Sequence, residues 1–408
     1  MNAPAGLPRF LANALDTHYV GYAPLIDRAR RTVGARLSVL ARELSERRPV
    51  GEVLQGLSLA WPMHVGEVLV APLDAQFDES LLDWQAPGNA VLELPTAALG
   101  DAAMQSLVFR AQEAGTRMAL RGRPDTPLPP SLLDCFEHTI IHIADDRRRT
   151  RSGQPLPPPA GITRRVPFVI TGVQTVADLD DCFARGAIAS VGWPLEERTA
   201  GGERPLQPGV AVLEAVRGLA AERAPVARIA PVLKRDPALV FKLLRLVNSR
   251  ESSLPVQVTG VAHAVQMLGH ARLARWAHLI APSAGDEANA APLVHAAAVR
   301  GFFLEFLAAA EWPDERRGEL YLTGAFSMLD RVTGAPLASL LSLLALPEAV
   351  SEALLGRTGP YAGYLALIEA LEQADPIAIR QAAEGLALPL SACNEALLRA
   401  LSATSAPA

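Results

Sequence analysis

The stretch RDPALVFKLLRLVNS, residues 235–249, sets the character of the second half of the chain. Asp236 can accept the free amide hydrogens of a first helical turn, and Pro237 stands where no intrahelical donor is lost. Apolar residues then recur at i, i+3, i+4 and i+7 on one face: Val240, Leu243, Leu244 and Val247. The pattern predicts an amphipathic helix with one buried face.

Further amphipathic runs continue from residue 210 to residue 403. One of them, residues 261–268, stops at Gly269, a residue that tolerates the positive φ with which helices commonly end. We therefore predict a single all-helical domain over residues 210–403.

The first 195 residues have a different pattern, in which short apolar runs alternate with helical or turn-rich stretches. The runs are VGEVLVAPL, NAVLELPT, MALRG, TIIHIAD and PFVITGV. Such alternation predicts an α/β domain over residues 1–195. The stretch RTAGGERPLQPG mixes charge, Gly and Pro, and predicts a linker over residues 196–209.

Composition excludes several classes of function. The 408 residues carry a net charge of −5 and only three cysteines, so we expect a cytoplasmic protein that binds neither nucleic acid nor membrane. Of the 38 basic residues only Lys234 and Lys242 are lysines, and arginine serves poorly as a catalytic base. Common nucleotide-binding, hydrolase and zinc-protease motifs are absent from the sequence. We therefore expect neither a cofactor nor a metal.

Several motifs, taken in order, carry a resemblance to known families. The series DPALVFKLLRLVNSR, VAHAVQMLGHARLARWAHL, RGFFLEFLA and GAFSMLD resembles the HDOD domain, an all-helical module related to HD phosphohydrolases. The first half resembles an EAL domain, the α/β barrel of cyclic di-GMP phosphodiesterases. The resemblance implies a degenerate EAL-like (TIM-type) α/β barrel followed by a C-terminal all-helical HDOD domain, a known combination in bacterial signal transduction.

The resemblance also implies that the barrel has lost its catalytic metal ligands. EAL phosphodiesterases hold divalent metal ions with acidic side chains, which activate water for attack on the phosphodiester. The Glu of the Glu-x-Leu signature falls here at Arg36. The full set of positions that match EAL motifs carries neutral or positive side chains: Arg36, Arg121, Gly122, Ala144, Thr171, Gln174 and Val191. HD hydrolases need a His-Asp dipeptide, and no His here precedes Asp. We expect no catalysis in either half.

Two groups of residues have alternative interpretations. His138 and His142 have the i, i+4 spacing of a helical metal site, but β-branched neighbours predict a strand, which would hold them roughly 13 Å apart. The helical half offers a candidate interaction surface: Asn248, Ser249, Arg272, Arg275, Trp276 and Arg300. Helix capping by Asn248 and core burial of Trp276 are the structural alternatives.

These observations predict a non-catalytic bacterial regulator in which the HDOD half binds a signalling protein. The alternative is a cyclic di-GMP receptor that binds without hydrolysis, because guanidinium groups such as those of Arg36 and Arg121 suit bidentate phosphate contacts.

Overall fold

The computed structural model describes eight stretches of the chain: residues 15–42, 48–123, 127–146, 166–192, 205–249, 258–285, 289–310 and 312–405. They belong to two compact units. The first comprises Met1–Glu197, Leu371–Ile379 and Pro389–Asn394, and the second Arg198–Ala370, Arg380–Leu388 and Glu395–Ala408. Most of the predicted linker, up to residue 204, lies outside the described residues, so the predicted boundaries stay a prediction.

The first unit contains a closed barrel of eight strands in sequence order. The strands are β1 His18–Asp27, β2 Thr32–Ala41, β3 Glu67–Pro72, β4 Ala90–Pro95, β5 Met118–Arg121, β6 His138–His142, β7 Phe168–Thr171 and β8 Ala189–Val191. All five apolar runs quoted from the first half of the sequence form strands, β3 to β7, and β6 contains both His138 and His142 as predicted.

One strand departs from the TIM-type pattern, and that part of the prediction is wrong. β2 to β8 are mutually parallel, whereas β1 runs antiparallel to both β2 and β8. The cause lies in the connection between β1 and β2, a tight turn in which Arg30 N donates to Asp27 O at 3.0 Å. So short a turn can join only antiparallel strands, because a parallel pair needs a crossover of a dozen residues or more.

Among the residues that the structure describes, the helices of the barrel unit are few and short. They are α1 Val50–Ser58, α2 Ala102–Glu113, α3 Pro130–Leu133, α4 Ile143–Asp146 and α5 Val176–Ala184. Asp101 caps α2 by accepting from Ala103 N, and Thr175 caps α5 by accepting from Asp178 N. The α/β expectation therefore holds only coarsely, as a mixed barrel with a thin helical layer.

An apolar layer fills the middle of the barrel. Each strand except β2 contributes to this cluster, which consists of Leu25, Leu69, Val91, Ala119, Ile140, Val169, Ala189 and Val191. Since side chains alternate between the two faces of a strand, residues two positions before or after a member also face the lumen. Those positions carry the charged groups of the candidate site.

The second unit is helical, as predicted. Its helices are α6 Val210–Ala221, α7 Val226–Lys234, α8 Pro237–Val247, α9 Val261–Ile280, α10 Ala291–Leu307, α11 Asp314–Phe326, α12 Leu329–Thr333, α13 Leu337–Leu341 and α14 Glu348–Ser351. Three more, α15 Ala362–Gln373, α16 Pro376–Gly385 and α17 Leu390–Ser405, contribute residues to both units. Among the described residues no helix combines the length and apolar character needed to cross a membrane.

The amphipathic helix predicted within residues 235–249 forms as expected. Asp236 caps α8 by accepting from Ala238 N at 2.8 Å and Leu239 N at 3.1 Å, and Pro237 opens the helix. The four predicted apolar positions of α8 are buried. Gly269 interrupts α9 at a φ of 68°, so residues 261–268 end where the sequence placed the stop.

Candidate functional site

A group of three charged residues, which we call the carboxyl-end cluster, comprises Arg36, Glu93 and Arg121. Arg36 donates to Glu93 through two bonds, Nε to Oε1 at 2.6 Å and Nη2 to Oε2 at 2.7 Å. Their strands, β2 and β4, are separated by β3, so the pair can meet only across the lumen. Glu93 is completely buried, and the Arg36 side chain is 18% exposed. The bidentate pair therefore fixes both side chains near the carboxyl ends of the parallel strands.

Arg121 stands beside this pair at the last position of β5. Its Nε lies 3.9 Å from Glu93 Oε2 and has no hydrogen-bond partner among the described residues. Burial lowers the pKa of Arg121, and the nearby charge of Arg36 adds to this. Burial also acts to lower the pKa of Arg36, but the hydrogen bond and charge of Glu93 outweigh it and leave that pKa raised. Two guanidinium groups thus share one carboxylate.

The other positions that were predicted to match EAL motifs do not form one site with the carboxyl-end cluster among the described residues. Thr171 ends β7 and is half-buried, and Gly122 follows β5 with a φ of 91°. Val191 belongs to the apolar layer. Ala144 in α4 and Gln174 before α5 are exposed. The assignment of these positions to the EAL motifs stays a prediction, and the structure joins only Arg36 and Arg121 through a shared contact.

Glu93 is the functional residue that sequence reasoning missed. The single acidic residue in NAVLELPT has the pattern expected of a solvent-facing strand position. The alternation of side chains along a strand could have indicated its position. Glu93 follows Val91 by two residues and therefore faces the same side as an apolar core residue. Its partner Arg36 is 57 residues away in sequence, a pairing that periodicity does not reveal.

A second charged group, the amino-end network, lies at the other end of the barrel, where β3, β5 and β6 begin. Arg117 donates Nε to Glu137 Oε1 at 2.8 Å and Nη2 to Glu137 Oε2 at 2.6 Å. The same Nη2 reaches Glu67 Oε2 at 2.9 Å. Glu67 Oε1 lies 2.9 Å from His138 Nε2, a contact that joins β3 to β6 across the lumen. A cavity of about 220 Å³ adjoins Arg117 and Glu137.

The ligand set of this network resembles that of a metal site. Glu67, Glu137 and His138 each offer one potential ligand atom, and these three atoms lie within 4.8 Å of one another. Arg117 already bonds to both carboxylates, so a cation is built into the chain at this place. The hydrogen bond to Glu67 raises the pKa of His138. Burial favours a higher pKa for Glu67, but His138 and Arg117 outweigh it and lower that pKa. The geometry is that of an ion network.

The candidate interaction surface of the helical unit is only partly exposed. Trp276 is 7% exposed and Arg300 is 4% exposed, so the prediction that they belong to a surface is wrong for both. Trp276 packs in the core, the alternative drawn from sequence, and Arg300 donates Nη1 to Ser327 Oγ at 2.9 Å. Arg272 and Arg275 are exposed on α9.

The last two members of that surface lie at the end of α8 and are half-buried. Asn248 ends the helix with a φ of −89°, so it does not need the left-handed backbone that the capping interpretation invoked. Its side chain instead bonds to both backbone polar groups of Val258, donating to the carbonyl at 2.8 Å and accepting from the amide at 2.9 Å. Ser249, which follows it, is also half-buried. This end of α8 is anchored within its own unit.

Comparison with known proteins identifies the class of the second half. Residues 205–303 match the HDOD domain family, which confirms that half of the resemblance. Residues 205–303 thus form an HDOD domain, and a closed eight-stranded barrel precedes this domain in the sequence.

Two curated bacterial proteins are similar to part of the chain. The cyclic di-GMP phosphodiesterase CdgJ of Vibrio cholerae is 28% identical over 173 residues, which are 42% of this chain and 40% of CdgJ. The protein YuxH of Bacillus subtilis is 24% identical over 162 residues, 39% of each chain. The chain therefore spans about 40% of the length of these relatives. The solved response regulator MmoQ of Methylococcus capsulatus aligns with 48% of this chain and 97% of its own, at 20% identity and a TM-score of 0.39.

Proposed function

We propose that this protein is a non-catalytic regulator in cyclic di-GMP signalling, with an EAL-like barrel that does not hydrolyse the nucleotide and an HDOD domain that binds a partner protein. The signalling context follows from the HDOD domain and from the similarity to a cyclic di-GMP phosphodiesterase. The loss of catalysis is the part that needs its own physical argument.

The observation that carries the proposal is the pairing of Glu93 with Arg36. Hard divalent cations need several oxygen ligands, most of them anionic. Within the described residues of the carboxyl-end cluster one carboxylate faces two guanidinium groups. A metal ion would have to displace Arg36 from two short bonds and then share its space with Arg121, so electrostatic repulsion opposes metal binding there.

Hydrolysis assays test this part directly. The intact protein is incubated with cyclic di-GMP and Mg²⁺ or Mn²⁺, and the linear product is followed by chromatography. We expect no turnover above the protein-free rate. Turnover by the parent protein that Glu93→Gln abolishes would contradict the proposal, and Glu79→Gln, at an exposed position of the same unit, is the matched control.

The output is assigned to the exposed side of α9. Arg272, Arg275 and Leu279 are spaced three and four residues apart, which places them on one face, and Leu279 is 71% exposed. Arginine beside an exposed apolar side chain is a composition found at protein interfaces. Capture of partners by the intact protein, compared with an Arg272→Glu, Arg275→Glu variant, should show a protein retained by the parent and lost from the variant. Retention by both would contradict this assignment.

A second candidate function is supported by Arg121. Its Nε has no hydrogen-bond partner among the described residues and the side chain is 27% exposed, so it can still contact a phosphate, unlike Arg36. Calorimetry with cyclic di-GMP distinguishes the candidates. Heat of binding that Arg121→Leu removes would favour a receptor, and a flat titration at high micromolar protein excludes it.

A further inference from the structure

Charge is distributed unevenly along the helical half of the chain. Residues 205–285, which contain α6 to α9, carry ten basic and four acidic residues, a net charge of +6. Residues 286–408 carry seven basic and fifteen acidic residues, a net charge of −8. The acidic balance of the whole chain, −5, therefore conceals a basic segment, and this segment makes up most of the HDOD match.

The four helices of this segment pack together, and we call them the four-helix group. α9 packs against α6, α7 and α8, and α7 also packs against α6 and α8. His270 Nε2 on α9 lies 2.7 Å from Ala224 O in the turn between α6 and α7. Arg223, the neighbour of Ala224, therefore lies close to α9. The charges of separate helices are thus carried on the surface of one compact group.

The basic side chains of the four-helix group reach solvent, while most of its acidic ones are already neutralised. Glu214 pairs with Arg217 at 2.6 Å, and Asp236 is buried as the cap of α8. Among the described residues of the group, Glu222 is the one exposed acidic side chain without an ion pair. Five arginines are exposed and have no ion pair within the described part of the chain: Arg223, Arg228, Arg245, Arg272 and Arg275.

The other side chains of the group indicate which kind of polyanion it suits. Leu279 and Met267 are exposed on α9, whereas both aromatic residues of the group, Phe241 and Trp276, are buried. Arginine and methionine are enriched in protein interfaces, but a single-stranded nucleic acid needs exposed aromatic rings on which its bases stack. The rest of the chain, at −11, also repels a long polyanion. These features favour a protein over a nucleic acid.

We propose that the four-helix group binds an acidic segment of a partner protein, whose glutamate or aspartate side chains contact the exposed arginines. This inference rests on the proposed binding of a partner by the HDOD domain and adds the chemistry of that partner. Opposite charge accelerates the encounter and selects acidic partners over neutral ones. Surface charges are screened over about 8 Å at physiological ionic strength, so the binding must weaken as salt is added.

The test measures how the intact protein binds a labelled synthetic peptide that, as a helix, has glutamate on one face and leucine on the other. Fluorescence anisotropy compares it with two matched probes: the same peptide with glutamine in place of glutamate, and a single strand of oligothymidine. We expect the glutamate peptide to bind about tenfold more tightly than the glutamine peptide at low salt. This difference should disappear near about 1 M salt.

Variants then locate the binding on the four-helix group. Arg228→Gln, Arg245→Gln removes two charges from α7 and α8 and should weaken binding of the glutamate peptide about threefold to tenfold. The control, Arg123→Gln, Arg380→Gln, removes the same charge at exposed positions outside the group and should leave binding unchanged.

The same probe separates this inference from the assignment of the output to α9. Binding of the glutamate peptide that survives Arg272→Glu, Arg275→Glu but is weakened by Arg228→Gln, Arg245→Gln would contradict the α9 assignment and support the acidic partner. Equal binding of the glutamate and glutamine peptides would reject the acidic partner and leave the α9 assignment to the capture experiment.

Three further results would overturn the proposal. Oligothymidine could bind more tightly than the glutamate peptide, which would assign the group to nucleic acid. The parent could form a dimer at low salt that excludes the peptide, which would assign the group to the acidic part of a second copy. Both arginine variants could weaken binding equally, so that net charge and not the group decides it. If Arg228→Gln, Arg245→Gln does not fold, the salt series of the parent decides, because an affinity that is independent of salt contradicts the proposal.

Discussion

The carboxyl end of the barrel holds two arginines around one carboxylate, whereas the amino end holds one arginine between two carboxylates and a histidine. The apolar layer separates these two groups. They also differ in exposure, since Glu93 is completely buried and Glu137 is 39% exposed. The same lumen thus carries a dry, positive group at one end and a wetter, more acidic group at the other.

This difference teaches which end can change its chemistry with conditions. An arginine pair in a dry site keeps its charges at all physiological pH values, whereas a histidine in a partly wet network can gain or lose a proton near neutrality. Active sites of such barrels lie at the carboxyl ends of the strands, and residues at the opposite face usually serve stability. Here the end that would carry chemistry is the one in which a buried bidentate ion pair fixes the charged side chains.

Removing Arg36 should have the largest effect on stability. Arg36→Met leaves the Glu93 carboxylate buried without its partner, which costs about 3 to 5 kcal/mol of unfolding free energy. Urea denaturation of the barrel, followed by tryptophan fluorescence of Trp61 and Trp84, measures this. The control is the double variant Arg36→Met, Glu93→Leu, which we expect to recover most of the loss because no buried carboxylate remains and the Arg121 side chain, 27% exposed, can reach solvent. A loss below about 1 kcal/mol for the single variant would contradict the dry site.

Removing Arg117 from the amino-end network should cost less, about 1 to 2 kcal/mol. Glu137 can turn to solvent, and Glu67 keeps its bond to His138. The Arg117→Met effect should also shrink at high salt, because exposed charges are screened, while the Arg36→Met effect should stay constant. Equal salt dependence of the two variants would show that the ends do not differ in solvent access.

Stability should depend on pH through His138 and not through Arg36. The pKa of His138 is raised above its ordinary 6.5 by Glu67, so its contribution is complete below that pH and is lost as pH rises through the folded-state pKa. The pKa of Glu67 is lowered below 4.5, so its contribution is lost only on acidification. The unfolding free energy of the parent minus that of His138→Gln should therefore be larger near about pH 5.5 than near about pH 8.5.

The unfolding free energy of Arg36→Met, measured over the same pH range, is the comparison for His138→Gln. The pKa of Arg36 is raised from a value that already lies far above this range, so its contribution should not change between these pH values. A His138→Gln difference that is flat with pH, or one that grows on raising the pH, would contradict the assigned hydrogen bond between His138 and Glu67.

The sequence predicted the strands better than the contacts between them. Apolar runs marked β3 to β7 because burial leaves a local pattern, and the capping of α8 by Asp236 followed from local chemistry. The antiparallel direction of β1 was not predicted, because the sequence alone did not show which strands its tight turn connects. The prediction of a surface position for Arg300 is wrong, and only the tertiary structure supplies Ser327 as its buried partner.

The candidate site was predictable in charge and not in geometry. Arg36 and Arg121 were singled out from motif positions, and they do lie together. Glu93 could not be paired with Arg36 from sequence, because the contact crosses a strand and the lumen. The hydrogen bond that Val20 N donates to Asn394 Oδ1 is less predictable still, since the two residues lie more than 370 positions apart.

The smallest expected effect is the coupling between the two ends. Arg117 and Arg121 mark the ends on the same strand and lie four residues apart, a separation of about 13 Å along an extended chain. With apolar side chains between them and no partner in common among the described residues, the losses caused by Arg36→Met and Arg117→Met should add within about 0.5 kcal/mol. A double-mutant cycle in urea measures this, and the cycle of Arg36→Met with Glu93→Leu is its positive control, because those residues are in direct contact. Coupling above about 1 kcal/mol would mean that the apolar layer transmits strain from one charged group to the other, and the two ends would then have to be treated as one site.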